Sequence, residues 1–407
     1  MIRWITDYIG TAPYLEAVSE KEDYEILDVR NLVDKQGNNN SEVDLKIKQG
    51  LECLYTGKKL LVCCDYGMSR SNSIAAGILS TYEKISIFDA IRTVIERTGE
   101  KEIKLPMINS VISWSGYNVN ESRDAILVTG SKGFIGSKLM ERLDDLNVTA
   151  PPSDELDLSK DRVELDLLLK ENNIGTLVHL ANPRKNTTYD ALGQSLSMLK
   201  VVLDACLANN VRLVYVSGWI IYEGYKGDIL ADENTAMISK SNYGDLRVLS
   251  EKLIGMYLQR GLKLMMIRAC SVYGIEKDVP KFIWNFIDKA SKNETINTHE
   301  YINGNPKLDL INVNDLADVL EICVRSKDTG IFNIGGNKTQ STNEIAQLII
   351  DHLRSNSRIV STKIDDYVAN VQMDTTAFSN RYHWEPKRYL GFEIDSMIKK
   401  YLGNPNG

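Results

Sequence analysis

The stretch "LLVCCDYGMSRSNSIAAGIL" sets Cys64 at the end of an apolar run, with Arg70 and Ser71 where a helix-like run begins. A thiolate is a strong nucleophile, and a cysteine facing a helix N-terminus loses its proton more easily than a free one. The loop between them turns successive backbone N–H groups towards one point, which suits an oxyanion. The planar fork of Arg70 grips two phosphate oxygens at once, as a lysine cannot. Gly67 lets the backbone bend towards such a ligand, and the Ser71 hydroxyl can hydrogen-bond the sulfur as it leaves phosphorus. The chemistry implied is attack of Cys64 on a phosphate ester.

A second loop carries a different signal. "AILVTGSKGFIGSKLMERL" spaces Gly130, Gly133 and Gly136 evenly between a strand and a helix, with Phe134 and Ile135 inside the last interval. This spacing suits a dinucleotide pyrophosphate: a tight turn, a close backbone approach and a helix N-terminus aimed at the charge. It implies NAD or NADP as cofactor.

The elements that must hold these loops are readable from periodicity. Residues 1–114 carry short strands ("YEILDV", "KKLLVCC") and helices ("SEVDLKIKQGLECLY", "SNSIAAGILSTYEK", "SIFDAIRTVIERTG"). "SGYNVNESRD", residues 115–124, is polar and aperiodic and reads as a linker. From Ala125 strands and helices alternate to about Asn210, which implies a parallel sheet in a domain running over 125–405.

Composition narrows the classes. The chain has 407 residues, 43% hydrophobic and 25% charged, enough for two or three globular domains. A net charge of −7 argues against a general nucleic-acid binder. "MIRWITDYIG" lacks a secretory pattern, and no apolar run reads as a bilayer span, so no membrane partner and a cytoplasmic location are expected. The six cysteines form no C-x-x-C pair, so neither a disulfide scaffold nor a zinc site is expected. The four histidines are scattered, and His179 in "TLVHLAN" reads as a core or strand-end residue.

The Cys64–Ser71 segment resembles the C-x5-R-S/T loop of the cysteine-dependent protein tyrosine and dual-specificity phosphatases, and the resemblance covers roughly residues 1–114. It implies that Cys64 is the nucleophile, Arg70 the phosphate clamp and Ser71 the hydroxyl that eases sulfur departure. In that family an aspartate about thirty residues upstream protonates the leaving group. Asp34 in "NLVDKQGNN" fits by spacing and loop context, with Asp28 and Asp44 as competitors. Where the family has a histidine before the nucleophile, this chain has Cys63, and a reversible disulfide of Cys64 with Cys63 or Cys53 is conceivable.

From Ala125 to about Leu402 the chain resembles the extended short-chain dehydrogenases/reductases, with a flavour of dTDP-4-dehydrorhamnose reductase and GDP-fucose synthase. The matching stretches are the glycine loop, "DELDLSKD", "TLVHLAN", "VSGWIIYEG", "NYGDLRVLSEKL" and "MDTTAFSNRYHWEP". The resemblance implies that Asp157 and Leu158 join the glycine loop in cofactor binding. It also implies that Tyr243 is the acid–base residue and that Arg247 stands where the family has a lysine. The family's Ser/Thr falls on Gly218. Either the substrate chemistry differs, Ser217 or Tyr222 takes over, or the domain binds without catalysing.

Together the resemblances imply an α/β chain: a cysteine-phosphatase domain, then a Rossmann doubly wound parallel sheet with a smaller C-terminal substrate-binding region. The activity implied is a phosphatase for a phosphorylated sugar or similar ester, fused to an NAD(P)-dependent reductase, epimerase or dehydratase acting on a nucleotide sugar in carbohydrate biosynthesis. A homodimer is expected by resemblance. The alternative is a protein phosphatase regulated by a dinucleotide-sensing domain.

Overall fold

The computed structural model describes the chain apart from residues 20–23, 36–37, 102, 118–122, 183–187, 276–279 and 404–407. Part of the expected linker and the last residues of the expected second domain therefore lie outside the described residues. Two compact units are present. The first comprises Met1–Arg123 and Leu156–Asn173, the second Asp124–Glu155 and Ile174–Gly407.

Unit 1 begins with β1 (Arg3–Trp4), β2 (Ile9–Pro13), α1 (Tyr14–Ser19), β3 (Tyr24–Asp28) and α2 (Asn40–Tyr55). It continues with β4 (Lys59–Cys64), α3 (Arg70–Glu83), α4 (Ile87–Thr98) and α5 (Leu105–Trp114). The sheet order is β1-β2-β4-β3, with β2 and β3 both parallel to β4 and β1 antiparallel to β2. Because β4 has a neighbour on each side, its apolar run is buried from Leu60 to Cys64. Alternation along β4 sends Leu60, Val62 and Cys64 into the main core with α2–α5, and Leu61 and Cys63 into a smaller cluster with Ala12 and Ala17. Helix α4 is held at both ends: the Ser86 hydroxyl accepts from the Asp89 N–H at 3.0 Å, and Gly99 ends it at φ +67°.

Unit 2 begins with β5 (Ala125–Thr129), α6 (Phe134–Arg142) and β6 (Val148–Thr149), after which α7 (Arg162–Glu171) belongs to unit 1. It resumes with β7 (Ile174–His179), α8 (Tyr189–Ala208), β8 (Arg212–Gly218), β9 (Gly227–Ala231), α9 (Asn242–Leu258) and β10 (Leu264–Ala269). There follow β11 (Ser271–Tyr273), α10 (Lys281–Ser291), β12 (Ile296–Tyr301), β13 (Lys307–Asn312), α11 (Val313–Ser326) and β14 (Gly330–Ile334). The chain closes with β15 (Thr339–Ser341), α12 (Thr342–Leu353), β16 (Ile359–Ile364), β17 (Ala369–Met373), α13 (Thr376–Tyr382) and α14 (Leu390–Gly403). Six parallel strands in the order β14-β10-β8-β7-β5-β6 form the main sheet, so chain order reverses between β5 and β7. A ligand crevice is expected at the carboxyl ends of those two strands. The smaller sheets β11-β13-β15, β12-β16 and β17-β9 build the C-terminal region, with a core of its own around Trp284, Ile287 and Ile349.

Two findings differ from the expectations above. Helix α8 is long and apolar enough, by length and composition alone, to cross a membrane, where no bilayer span is expected from the sequence. In the structure Leu199, Val202, Leu203 and Cys206 of this helix are buried, and its Asp204 accepts a hydrogen bond from the Tyr257 hydroxyl of α9. Helix α7 is the second. Its Val163 and Leu167 lie in the core of unit 1, and Arg92 of α4 pairs with Glu164 (3.0 Å) and Glu171 (2.6 Å). The Tyr117 hydroxyl donates to the Lys170 carbonyl at 2.6 Å, and its ring meets Phe88 edge-on.

If α7 completes unit 1, Leu167→Ala leaves a cavity there and costs about 2–5 kcal/mol of that unit's stability. Hydrogen exchange should then accelerate in α4, whereas acceleration confined to β7 and α8 would refute the placement.

Candidate functional site

Unit 1 folds Cys64 and Arg70 around one loop. The loop backbone lies against β2: a Cβ on Gly67 (φ +68°) would come within 2.5 Å of the Ala12 carbonyl carbon and the Pro13 nitrogen. Only glycine fits this left-handed, crowded position. Cys64 Sγ and Ser71 Oγ are 3.3 Å apart. Burial pushes the Cys64 thiol up, but hydrogen bonds from the Ser71 hydroxyl and from the N–H groups of Ser71, Met68 and Tyr66 outweigh it and leave the thiol below its usual range. Burial, and then the Cys64 charge, push Cys63 up to about 12. All six cysteines are free, and Cys63 and Cys64 point to opposite faces of β4. The conceivable disulfide between them is therefore not formed, because strand alternation separates the sulfurs.

Arg70 is fixed from three sides. Its Nη1 donates to the carbonyls of Arg30 (2.9 Å) and Leu32 (3.0 Å), and its Nη2 to the Asp65 carboxylate. Its Nε stands 3.6 Å from Asp34 Oδ2, and both Arg70 Nε and Asp34 Oδ1 are buried without a hydrogen-bond partner. Asp34 thus shares the site with Arg70. Its competitors are engaged elsewhere. Asp28 is held low, first by the hydrogen bond from Arg30, and Asp44 pairs with Lys48 (2.7 Å) and accepts from Trp114 (3.1 Å). Asp65, the acidic partner within the loop, was missed by sequence reasoning, although its position next to Cys64 was visible.

In unit 2 the glycine loop, the ends of β7 and β8, and α9 enclose a cavity of about 270 Å³. Gly130, Gly133, Phe134, Ile135, Gly136, Tyr243 and Arg247 all line it. The three glycines are required for different reasons. A Cβ on Gly130 (φ +75°) would strike the Leu180–Ala181 peptide at 2.7 Å, and one on Gly136 would strike the Gly130 carbonyl at 2.1 Å. Gly133 caps α6 and would meet only the Gly130 carbonyl, at 3.1 Å, so its bareness leaves the cradle open beside the helix N-terminus. A pyrophosphate fits this cradle.

Arg247 spans two phenols. Its Nη2 and Nε donate to the Tyr243 hydroxyl at 2.7 and 3.1 Å, and its Nη1 donates to the Tyr215 hydroxyl at 2.9 Å. Tyr215, which also lines the cavity, was missed by sequence reasoning; the signal was its period-two relation to Ser217 on β8. His179 Nδ1 lies 2.8 Å from Thr129 Oγ1, and burial followed by the Arg247 charge push the imidazole down to about 4, so it is neutral at physiological pH.

Four sequence-derived candidates lie elsewhere. Asp157 and Leu158 do not line the cavity: they belong to the segment grouped with unit 1, where Asp157 Oδ1 accepts from the N–H (3.0 Å) and hydroxyl (2.6 Å) of Ser159. Ser217 and Tyr222 do not replace the hydroxyl lost at Gly218. The Ser217 hydroxyl donates to Glu251 at 2.6 Å, Glu251 pairs with Arg268 at 2.7 Å, and Arg268 donates to the Tyr222 hydroxyl at 3.0 Å. That buried ion pair holds both hydroxyls, since leaving either of its charges underpartnered there would be costly.

Residues 126–335 match the NAD dependent epimerase/dehydratase family. A putative UDP-glucose 4-epimerase of Methanocaldococcus jannaschii is 27% identical over 250 residues, covering 55% of this chain and 81% of that protein. The low-salt glycan biosynthesis protein Agl12 of Haloferax volcanii is 23% identical, covering 69% of this chain and 99% of its own length. Among solved structures, the UDP-glucose 4-epimerase of Thermus thermophilus in complex with NAD shares the fold at a TM-score of 0.58, with 20% identity over 69% of this chain and 99% of that one.

Thiol reactivity tests the first loop. Alkylation of Cys64 by iodoacetamide should fall off as pH drops through the thiol's lowered pKa, because only the thiolate reacts. Ser71→Ala removes a stabilising hydrogen bond, moves that fall-off to higher pH and slows the reaction at neutral pH, by about tenfold for ~1.4 kcal/mol lost. An unchanged profile, or Cys63 reacting first, would refute the assignment.

Proposed function

Since the chain belongs to the NAD dependent epimerase/dehydratase family, we propose that unit 2 is a nucleotide-sugar epimerase, dehydratase or reductase of glycan biosynthesis, and that unit 1 is a cysteine-dependent phosphatase for a phosphorylated sugar or similar monoester. The observation that carries the first half is the open cradle at Gly133 beside a Tyr243 held by a guanidinium. When bound, the nicotinamide ring supplies hydride acceptance from, and return to, a sugar carbon. The chain's own residues do the rest: the α6 N-terminus binds the pyrophosphate charge, and Tyr243 takes and gives back the hydroxyl proton. Arg247 stabilises the negative charge that develops on the phenol oxygen. The Methanocaldococcus and Thermus relatives support a UDP-sugar as substrate, and the family name together with the NAD in the Thermus structure supports a nicotinamide dinucleotide as cofactor.

The observation that carries the second half is the Cys64 thiol, lowered by loop donors and set beside Arg70. In this reading the Cys64 sulfur attacks phosphorus, the bond from phosphorus to the leaving oxygen breaks, and Asp34 donates its proton to that oxygen. Water then attacks the phosphocysteine, giving a proton to Asp34, while Ser71 hydrogen-bonds the departing sulfur. Both halves acting on sugar intermediates is an analogy from the fusion itself.

Three experiments test these halves. Cys64→Ser should abolish hydrolysis of p-nitrophenyl phosphate yet retain vanadate binding, and chelators should leave the wild type unaffected; full activity in the variant refutes the nucleophile. Asp34→Asn should slow phenyl phosphate far more than p-nitrophenyl phosphate, because only the poorer leaving group needs the proton. For unit 2, Gly133→Val fills the cradle and should abolish NAD binding in calorimetry; a wild type that binds neither NAD nor NADP refutes the cofactor.

A second reading, a dinucleotide sensor controlling the phosphatase, draws support from Gly218, which supplies no hydroxyl. A phosphatase rate altered by NAD, with no nucleotide-sugar turnover, would favour it.

A further inference from the structure

Within the catalytic reading of unit 2, one part of the site is unassigned. Tyr243 carries the proton, but the second hydroxyl that should hold the substrate oxygen is missing, because its position on the chain is Gly218. Three hydroxyl-bearing side chains occupy the segment from β8 to the following turn: Tyr215, Ser217 and Tyr222. Ser217 is bonded to the buried Glu251, and Tyr222 to Arg268 and the Asp232 carbonyl, and neither lines the cavity. Tyr215 does line it.

We propose that Tyr215 supplies the second hydroxyl of this site and hydrogen-bonds the reacting sugar oxygen alongside Tyr243. The Arg247 guanidinium donates through one nitrogen to each phenol, at 2.9 Å to Tyr215 and 2.7 Å to Tyr243. Both oxygens are therefore held on the same planar fork at a fixed spacing. With its acceptor role filled by Arg247, the Tyr215 hydroxyl keeps its own proton to donate. The ring is also restrained from the side by stacking on His179, with centroids 6.2 Å apart and planes 21° from parallel. A lysine at 247 has no such fork, so the substitution to arginine and the loss at Gly218 form one compensated arrangement. Tyr215 is thus a catalytic residue, and Arg247 positions it.

The test exploits the room at Gly218. Its backbone is extended, and a Cβ there would approach only the Ala269 carbonyl oxygen, at 3.6 Å, so a serine is accommodated. With the full chain, NAD and a panel of UDP- and dTDP-sugars, Tyr215→Phe should lower kcat by about 10²-fold. KM for the sugar and the calorimetric Kd for NAD should stay within about twofold, which also shows that the variant is folded. Adding Gly218→Ser in that background should restore turnover by about tenfold or more, because it returns a hydroxyl from another position. Wild-type turnover in Tyr215→Phe, or a double variant no faster than Tyr215→Phe alone, overturns the assignment while leaving the catalytic reading intact. No turnover of any sugar by the wild type overturns the catalytic reading, and this assignment with it.

Discussion

A parallel strand that runs straight into a helix leaves the first N–H groups of that helix without carbonyl partners. Both candidate sites of this chain are built on that shortage. In unit 1, β4 turns into α3 and the N–H groups of Tyr66, Met68 and Ser71 converge on Cys64; in unit 2, β5 turns into α6 and the glycine loop lines a cavity at that helix's N-terminus. Each turn is possible only because one glycine adopts a left-handed backbone against another segment, Gly67 against Ala12–Pro13 and Gly130 against Leu180–Ala181. A side chain at either position would push the loop off its neighbour and spoil the convergence of donors.

Arginine is the second shared device. Arg70 stands near the Cys64 sulfur and Arg247 beside the Tyr243 hydroxyl, and both are restrained by several acceptors before any ligand is considered. A fork held in place loses little rotamer freedom when it meets a substrate or a developing charge, so more of its interaction energy is available to the transition state. The partners differ in kind. Arg70 is held by carbonyls and carboxylates, so its charge is partly balanced. Arg247 is held by neutral phenols, which leaves its charge available to the cavity.

The division of the chain into units follows packing rather than order. Helix α7 lies between two strands of the unit 2 sheet in sequence, yet its apolar face, Val163 and Leu167, is buried with unit 1. Arg92, with two carboxylates of α7, adds direction to that burial. Asp157 and Leu158, just ahead of the helix, fall in the same segment of unit 1 and are not among the residues lining the cavity of unit 2.

Local chemistry was legible in the sequence. The strand-to-helix turns, the Cys64-to-Arg70 spacing and the glycine spacing rest on residue type and short spacing, which a linear reading captures. So did the departures at Arg247 and Gly218, because each occupies a defined place in a short motif. What the sequence left open were choices among candidates it could not separate: Asp34, Asp28 or Asp44 as the acid, and Ser217 or Tyr222 as the hydroxyl in place of Gly218, while Tyr215 was not among them. Only the folded structure gives each of these residues its partner. Asp28 is paired with its near neighbour Arg30, Ser217 with Glu251 and Tyr222 with Arg268, while Tyr215 lines the cavity and accepts from a guanidinium 32 positions away. A hydroxyl or carboxylate is available for chemistry only when no buried charge claims it, and that competition exists only once the chain has folded.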